Sequence, residues 1–377
     1  MKTVAERLSE QVREGELYEK LDSNRVRCDA CGHCCPIPAG FTGVCKVRYN
    51  QGGKLYVPYG YVSALHADPI EKKPFFHALP GTRALSFGML GCDLHCGYCQ
   101  NWVTSQALRD FRSSLDFTRI APREIVAAAR ASGAGSVVST YNEPLITSEW
   151  AVAVFREARA AGLVTGFVSN GNATPQVLEY ISPWLDLYKV DLKSFDDRHY
   201  HELGGRIAPI LDSIRRIHQM GLWLEIVTLL IPGFNDSADE LHRLTEFIAG
   251  ISPNIPWHVT AFHGDYKMQN DVARDTNAED LLRAVEIGQQ SGLRYIYVGN
   301  LPGMVGDWED TRCPQCSETL IKRHGYLIED YRLTPEGRCP SCATEIPGRW
   351  PAHFDGQIAS RPFLPQKRSR FVTITDH

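Results

Sequence analysis

No stretch of this chain approaches the ~18 consecutive apolar residues that a membrane span needs. The N-terminus, Met1 to Lys20, is charged and helical in pattern, where a signal peptide would carry an apolar stretch. Both absences predict a cytoplasmic protein with no membrane partner. In that reducing compartment the twelve cysteines are not expected to form disulfides. A surplus of positive charge is missing too. Lys and Arg number 40 against 44 Asp and Glu, for a net charge of −4, so nucleic acid is not an expected partner. The one basic run, Lys367-Arg368-Ser369-Arg370, reads as a solvated tail. Finally, no cysteine lies between Cys99 and Cys313. What remains is an ordinary globular composition, 43% hydrophobic and 22% charged, and 377 residues allow two or three domains.

The cysteines fall into three groups, which predicts metal sites: Cys28, Cys31, Cys34, Cys35 and Cys45; Cys92, Cys96 and Cys99; and Cys313, Cys316, Cys339 and Cys342. The middle group, in Gly91-Cys92-Asp93-Leu94-His95-Cys96-Gly97-Tyr98-Cys99, has the spacing C-x3-C-x2-C. It offers three thiolates from one tight loop, and the nearest other cysteine is more than forty residues away. A cubane iron–sulfur cluster normally takes four thiolates. A three-cysteine site therefore leaves one iron open, and an open metal position is where chemistry happens.

The last group is two C-x2-C knuckles separated by twenty-two residues, with Tyr326–Arg332 reading as strand between them. That is a zinc ribbon pattern, closed by four thiolates; an auxiliary iron–sulfur cluster is the alternative. The first group, Cys28-x2-Cys31-x3-Cys35-x9-Cys45, also supplies four thiolates, with His33 and Cys34 as substitutes. Zinc is preferred there over a four-cysteine cluster, and both stay open. Val47–Tyr49 and Lys54–Val57 flank Asn50-Gln51-Gly52-Gly53, which predicts a hairpin. A module this small needs its metal to fold.

From Arg83 to Asn300, short apolar β-branched runs alternate with amphipathic segments. Strands are expected at Ala84–Phe87, Ser136–Thr140, Val164–Ser169, Leu187–Leu192, Leu222–Leu230, Trp257–Ala261 and Tyr295–Val298. Helices are expected at Pro122–Ala131, Glu149–Ala161, Thr174–Ile181, Asp239–Ile248 and Glu279–Gln290. This alternation predicts βαβ units around a parallel sheet, and six or seven such units fit a partial (βα)6 barrel. Polar residues then collect where the strands end, as chemistry does in parallel barrels. Cys92, Cys96 and Cys99 follow the first strand, Asn142 and Glu143 the second, and Ser169, Asn170 and Asn172 the third. Asp191 and Lys193 end the fourth, Asn235 and Asp236 follow the fifth, and His258 and His263 surround the sixth. The expected organisation is an N-terminal Cys-rich module over 1–80, the α/β barrel over 81–305, and a zinc ribbon with its tail over 306–377.

On the C-x3-C-x2-C loop with Tyr98 before its last cysteine, the chain resembles the radical S-adenosylmethionine (SAM) superfamily. The resemblance implies a [4Fe–4S] cluster on Cys92, Cys96 and Cys99 whose open iron chelates SAM. It also implies an enzyme that reductively cleaves SAM to methionine and a 5′-deoxyadenosyl radical, with an electron donor such as flavodoxin or ferredoxin. Tyr141-Asn142-Glu143-Pro144, Val190-Asp191-Leu192-Lys193 and Pro256-Trp257-His258 are similar to segments of the activase branch typified by the pyruvate formate-lyase activating enzyme. Within that resemblance Glu143 pairs with the SAM ammonium and Lys193 with its carboxylate. Ser169, Asn170 and His258 serve the carboxylate or ribose. Tyr98 and the strap carrying Ile231 cover the adenine, while Asn142 and Asp191 complete the cofactor-binding set. The acidic residue expected before Thr-Asn-Gly is Val168 here, a departure that touches the cation and ribose contacts.

Over about residues 25 to 350 the chain is similar to one narrower family, the radical SAM enzyme of the AmmeMemoRadiSam system. The segments that carry this are Cys28-Asp29-Ala30-Cys31-Gly32-His33-Cys34-Cys35, Gly43-Val44-Cys45-Lys46-Val47-Arg48-Tyr49-Asn50 and Asp68-Pro69-Ile70-Glu71-Lys72-Lys73-Pro74. They continue through Cys92 to Trp102, Trp257-His258, Tyr297-Val298-Gly299-Asn300 and the terminal ribbon. Nothing in the sequence identifies a substrate. The radical's target is a small molecule, RNA or peptide in one reading, and the backbone glycine of a partner protein in the other. A non-catalytic metal-binding adaptor is the reading from outside enzymology. It gives no reason for an open-iron triad beside Glu143, Asp191 and Lys193.

Overall fold

The structure is a computed structural model that describes residues 4–110, 117–268 and 274–351, so the basic run at 367–370 lies outside the described residues. Its centre is an eight-stranded sheet: β1 (Ala64–Pro69), β2 (Arg83–Gly88), β3 (Ala134–Ser139), β4 (Val164–Ser169), β5 (Leu187–Asp191), β6 (Trp223–Leu230), β7 (Trp257–Ala261) and β8 (Ile296–Gly299). The strands lie side by side in chain order. From β2 to β8 every neighbouring pair is parallel, whereas β1 runs antiparallel along β2. The α/β class and the parallel sheet are therefore as the alternation predicts. The sheet begins earlier than residue 81, because β1 belongs to it. Its run Ala64-Leu65-His66-Ala67-Asp68-Pro69 lacks the continuous apolar character of a central strand, and an edge strand does not need it.

Seven helices accompany the sheet: α1 (Pro122–Ala131), α2 (Ser148–Ala160), α3 (Pro175–Ile181), α4 (Asp197–Glu202), α5 (Ile207–Gln219), α6 (Ala238–Ile251) and α7 (Ala278–Gln290). Proline opens α1 and α3, where its missing N–H costs nothing. Thr174 caps α3 by accepting from the Val177 N–H, and Asn277 caps α7 by accepting from that of Asp280. The sequence reading has no counterpart for α4 and α5. Gly204-Gly205 and Pro209 look like loop, yet Pro209 falls in the first turn of α5, where a proline is tolerated. Ile210, Ile214 and Ile217 then bury one face of it.

The two ends of the sheet are covered differently. At the N-terminal ends of the strands, Ile70, Phe75 and Ala78 pack against Ala84, Val138 and Leu187. Behind them sits a three-stranded antiparallel unit of Thr311–Arg312, Thr319–His324 and Leu327–Tyr331. Its Leu320, Ile321 and Ile328 form a small core with Phe76, Tyr295 and Tyr297. At the C-terminal ends lies the N-terminal module, in which Val26–Cys28 pairs with Tyr18–Lys20 and Pro36–Ile37. Its hairpin joins Tyr49–Gln51 to Lys54–Pro58. The two-residue loop between them needs positive φ at both positions, and Gly52 and Gly53 supply it at 62° and 83°. A buried ion pair fastens the module down: both terminal guanidinium nitrogens of Arg48 meet the Glu149 carboxylate on α2 at 2.7 Å. No described helix is long and apolar enough to cross a membrane.

Candidate active site

The cysteine loop leaves the end of β2 and crosses close to the next strand end. A Cβ on Gly88 would lie 2.6 Å from the Thr140 carbonyl, so only glycine lets the chain pass there. The Met89 N–H donates to Asn142 Oδ1 at 2.9 Å, and the Gly91 N–H to the Thr104 carbonyl at 3.1 Å. Asn142 therefore shapes the loop. Beyond these anchors Cys92, Cys96 and Cys99 join an apolar cluster of Leu94, Tyr98, Leu203, Ile231 and Phe262, with Leu229, Phe234 and Met268 packed against it. Tyr98 and Ile231 thus sit with the thiols. Burial pushes all three thiols up, Cys96 to about 11, and the Lys193 charge works against that at Cys96 and Cys99. Thiols in such a place become thiolates only when a strong positive centre holds them.

A polar network faces the loop from the ends of β3 and β4. Glu143 Oε1 accepts from Ser169 Oγ at 2.7 Å and from the Leu145 N–H at 3.1 Å, while Oε2 accepts from the Asn170 N–H at 2.8 Å. Asp93, inside the loop, takes the side-chain amides of Asn170 at 2.7 Å and Asn172 at 2.8 Å. Burial, reinforced by the Asp93 carboxylate, raises the Glu143 carboxyl above its usual range. Across the site, Asp191 pairs with Lys189 and, at 3.5 Å, with Lys193 Nζ. Burial alone would lower Lys193; Asp191, Cys96 and Tyr98 outweigh it and hold it well above its usual value. Asn235 ties the strap in place, donating to the carbonyls of Lys193 and Leu229 at 2.8 Å and accepting from the Ile231 N–H at 2.7 Å.

His258 stands apart. It is the second residue of β7, in register with Val227 rather than with the strand end at Leu230. Its Nε2 meets Glu225 Oε2 at 2.7 Å, and its ring stacks on Tyr297. The structure does not bring it to the cysteine loop. Asp93 and Asn172 do belong to the network. Asp93 stands inside the cysteine motif, and a buried acid among three cysteines is the signal that could have marked it.

The remaining cysteines fall into two groups. Cys313, Cys316, Cys339 and Cys342 form a four-thiol group whose sulfurs all lie within 4.8 Å of one another. Cys28, Cys31 and Cys45 are buried and Cys35 half-buried in the N-terminal module, while Cys34 is exposed.

The model of the radical SAM superfamily matches residues 88–247, the stretch from the cysteine loop through α6. An uncharacterised protein of Methanocaldococcus jannaschii is 35% identical over 338 residues, 89% of this chain and 99% of that protein. The chain belongs to the radical SAM superfamily. Pyruvate formate-lyase-activating enzyme of Staphylococcus aureus is 29% identical over 194 residues, covering 49% of this chain and 76% of that enzyme. Among solved structures, a domain of pyruvate-formate lyase-activating enzyme from Bacteroides vulgatus covers 44% of this chain and 99% of that chain, at 21% identity and a TM-score of 0.39. Membership in the radical SAM superfamily makes this protein an enzyme and implies a [4Fe–4S] cluster and SAM. The residues present fit both. The triad supplies thiols and not a closed four-thiol set, and opposite charges with apolar cover stand beside it.

Proposed function

We propose that this protein cleaves SAM reductively and uses the resulting 5′-deoxyadenosyl radical to take a hydrogen atom from a substrate not yet identified. The observation that carries the reading is the convergence of Cys92, Cys96 and Cys99 with Tyr98 and Ile231 in one cluster, with Lys193 acting on the thiols and Glu143 across the site. When bound, the cluster supplies one electron to the SAM sulfonium, obtained from a carrier such as flavodoxin or ferredoxin. The protein's own residues bind and orient. Lys193 offers a cation to a carboxylate, and Glu143 keeps one lone-pair site free for an ammonium. Tyr98 and Ile231 give an aromatic ring an apolar seat. Asn142, Ser169, Asn170 and Asp191 hold these groups in position. The strand order supports a partial barrel, with the N-terminal module across one end and the C-terminal unit across the other.

The C-terminal thiols are assigned to zinc. Four sulfurs at 2.3 Å around one ion lie about 3.8 Å apart. The Cys313–Cys342 and Cys316–Cys339 sulfurs are separated by 3.5 and 3.6 Å. The AmmeMemoRadiSam enzyme is the narrower family we favour, on the order of its segments from the N-terminal cysteines to the ribbon. Action on a partner protein is a second reading, favoured by the half-chain likeness to pyruvate formate-lyase-activating enzyme. A cytoplasmic location accords with this chemistry.

The test is anaerobic reconstitution with iron and sulfide, followed by dithionite and SAM. The parent protein is expected to release 5′-deoxyadenosine and methionine, and Cys92→Ala/Cys96→Ala/Cys99→Ala to release none while remaining folded. Cleavage that survives the triple substitution would sink the proposal.

A further inference from the structure

We infer that the N-terminal module holds a second iron–sulfur cluster, on Cys28, Cys31, Cys35 and Cys45, and not a zinc ion. The local fold brings these four together. The Cys28 N–H donates to the Cys35 carbonyl at 3.0 Å, continuing the pairing of Val26–Cys28 with Pro36–Ile37. Cys31 closes a turn by accepting from the Cys34 N–H at 3.0 Å. Cys45 rides on the turn that starts at Gly43, where an added Cβ would come 3.6 Å from Cys35 Sγ. Cys34 is exposed and carries a positive φ of 43°, so it marks the bend and leaves the inward set to the other four.

Spacing separates the two metal chemistries. Around a single zinc ion the sulfurs crowd together, as the ribbon sulfurs do. On a cubane each thiolate sits on its own iron and points outward, so the sulfurs spread. Among the described residues the ribbon cysteines are the one group of three or more possible ligands with all atoms within 4.8 Å. No three of the N-terminal thiols approach that closely, and neither do those of Cys92, Cys96 and Cys99. The N-terminal thiols, like those of the radical SAM loop, lack the closed spacing of the ribbon.

A second observation asks for thiolate at this place. Arg48 is 1% exposed, and its terminal nitrogens are used on Glu149 and on the Ile146 carbonyl. Its Nε has no acceptor among the described residues. Cys28 and Cys45 both act on its charge. A buried charge is costly, and metal-bound thiolates at Cys28 and Cys45 would oppose that of Arg48. The module also abuts the loop: a Cβ on Gly91 would lie 3.1 Å from the Cys45 carbonyl, and His33 Nε2 is 3.1 Å from the Asp93 carbonyl. The two clusters would share a wall.

Metal analysis of the full-length Cys92→Ala/Cys96→Ala/Cys99→Ala protein after anaerobic reconstitution tests this without relying on SAM cleavage. We expect about four irons with matching sulfide, a cluster EPR signal on dithionite reduction that SAM leaves unchanged, and a single zinc. Adding Cys28→Ser should abolish that signal. Two zinc ions with no sulfide-bound iron, or a cluster signal that persists with Cys28, Cys31, Cys35 and Cys45 all replaced, would overturn the assignment. Failure of the SAM reading would show instead as cleavage by the triple variant.

Discussion

Glu225 and Glu143 are both buried carboxylates on this sheet, one at each end, and they differ in what they have left to offer. Glu225 accepts from the N–H groups of Phe76 and His77 at 3.0 and 2.9 Å, from Trp223 Nε1 at 2.9 Å and from His258 Nε2 at 2.7 Å. Four donors fill a carboxylate's capacity. Burial would raise Glu225, but the His258 hydrogen bond and charge hold it below its usual range. Among the described residues Glu143 has three donors, all near the ends of β3 and β4, and burial raises it. The lower end is a closed structural knot; the upper end keeps one acceptor site and a lysine in reserve. A saturated charge stabilises, and an incompletely satisfied one can bind.

Glu71 is the place where the lower end breaks its own rule, and it should give the largest stability effect. Its Oε1 accepts from the Gly81 N–H at 2.7 Å, but Oε2 is buried without a partner among the described residues. Burial pushes its carboxyl from 4.5 to about 7, against the pull of Arg323. The folded pKa is above the unfolded one, so the folded state binds more protons between the two values. The stability it contributes is present below pH 4.5 and lost as pH rises towards 7. Glu71→Gln, which keeps the acceptor and cannot ionise, should be more stable than the parent at pH 8 by about 3 kcal/mol. The advantage should vanish at pH 4. Denaturant titrations at both pH values measure the difference, and a pH-independent difference would mean that Glu71 is ionised in the fold.

At the upper end, Lys193→Ala removes a charge-assisted partner worth on the order of 1.5–3 kcal/mol, or roughly 10- to 150-fold in SAM affinity. Equilibrium binding of SAM to reconstituted protein reads it. Unchanged affinity would place the SAM carboxylate elsewhere and would erase the contrast between the two ends.

Much of this was legible beforehand, for reasons that can be named. The strands and most helices announce themselves by period and by caps such as Thr174 and Pro175. The cysteine spacing names its chemistry without a structure. What stayed hidden is what depends on two distant segments meeting. Asp93 joins Asn170 and Asn172 across about 80 residues, and Arg48 finds Glu149 across 101. Neither partner betrays the other in sequence. β1 escaped because an edge strand has no apolar run to show. In sequence His258 lies near a strand end, but its place in that strand is set by register, which periodicity does not give.

The smallest effect on SAM should come from His258→Phe. Phenylalanine preserves the ring that stacks on Tyr297 and meets Phe76 edge-on, so packing largely survives. What is lost is one hydrogen bond to Glu225, which keeps three other donors. A hydrogen bond to a charged group suggests a stability loss of about 1.5–3 kcal/mol, visible as a lower midpoint in denaturant. SAM affinity should stay within about twofold of the parent, because no part of the cysteine loop rests on this ring. A tenfold weaker affinity in a folded variant would put His258 back among the cofactor contacts. It would also show that the two ends of the sheet are coupled through β7.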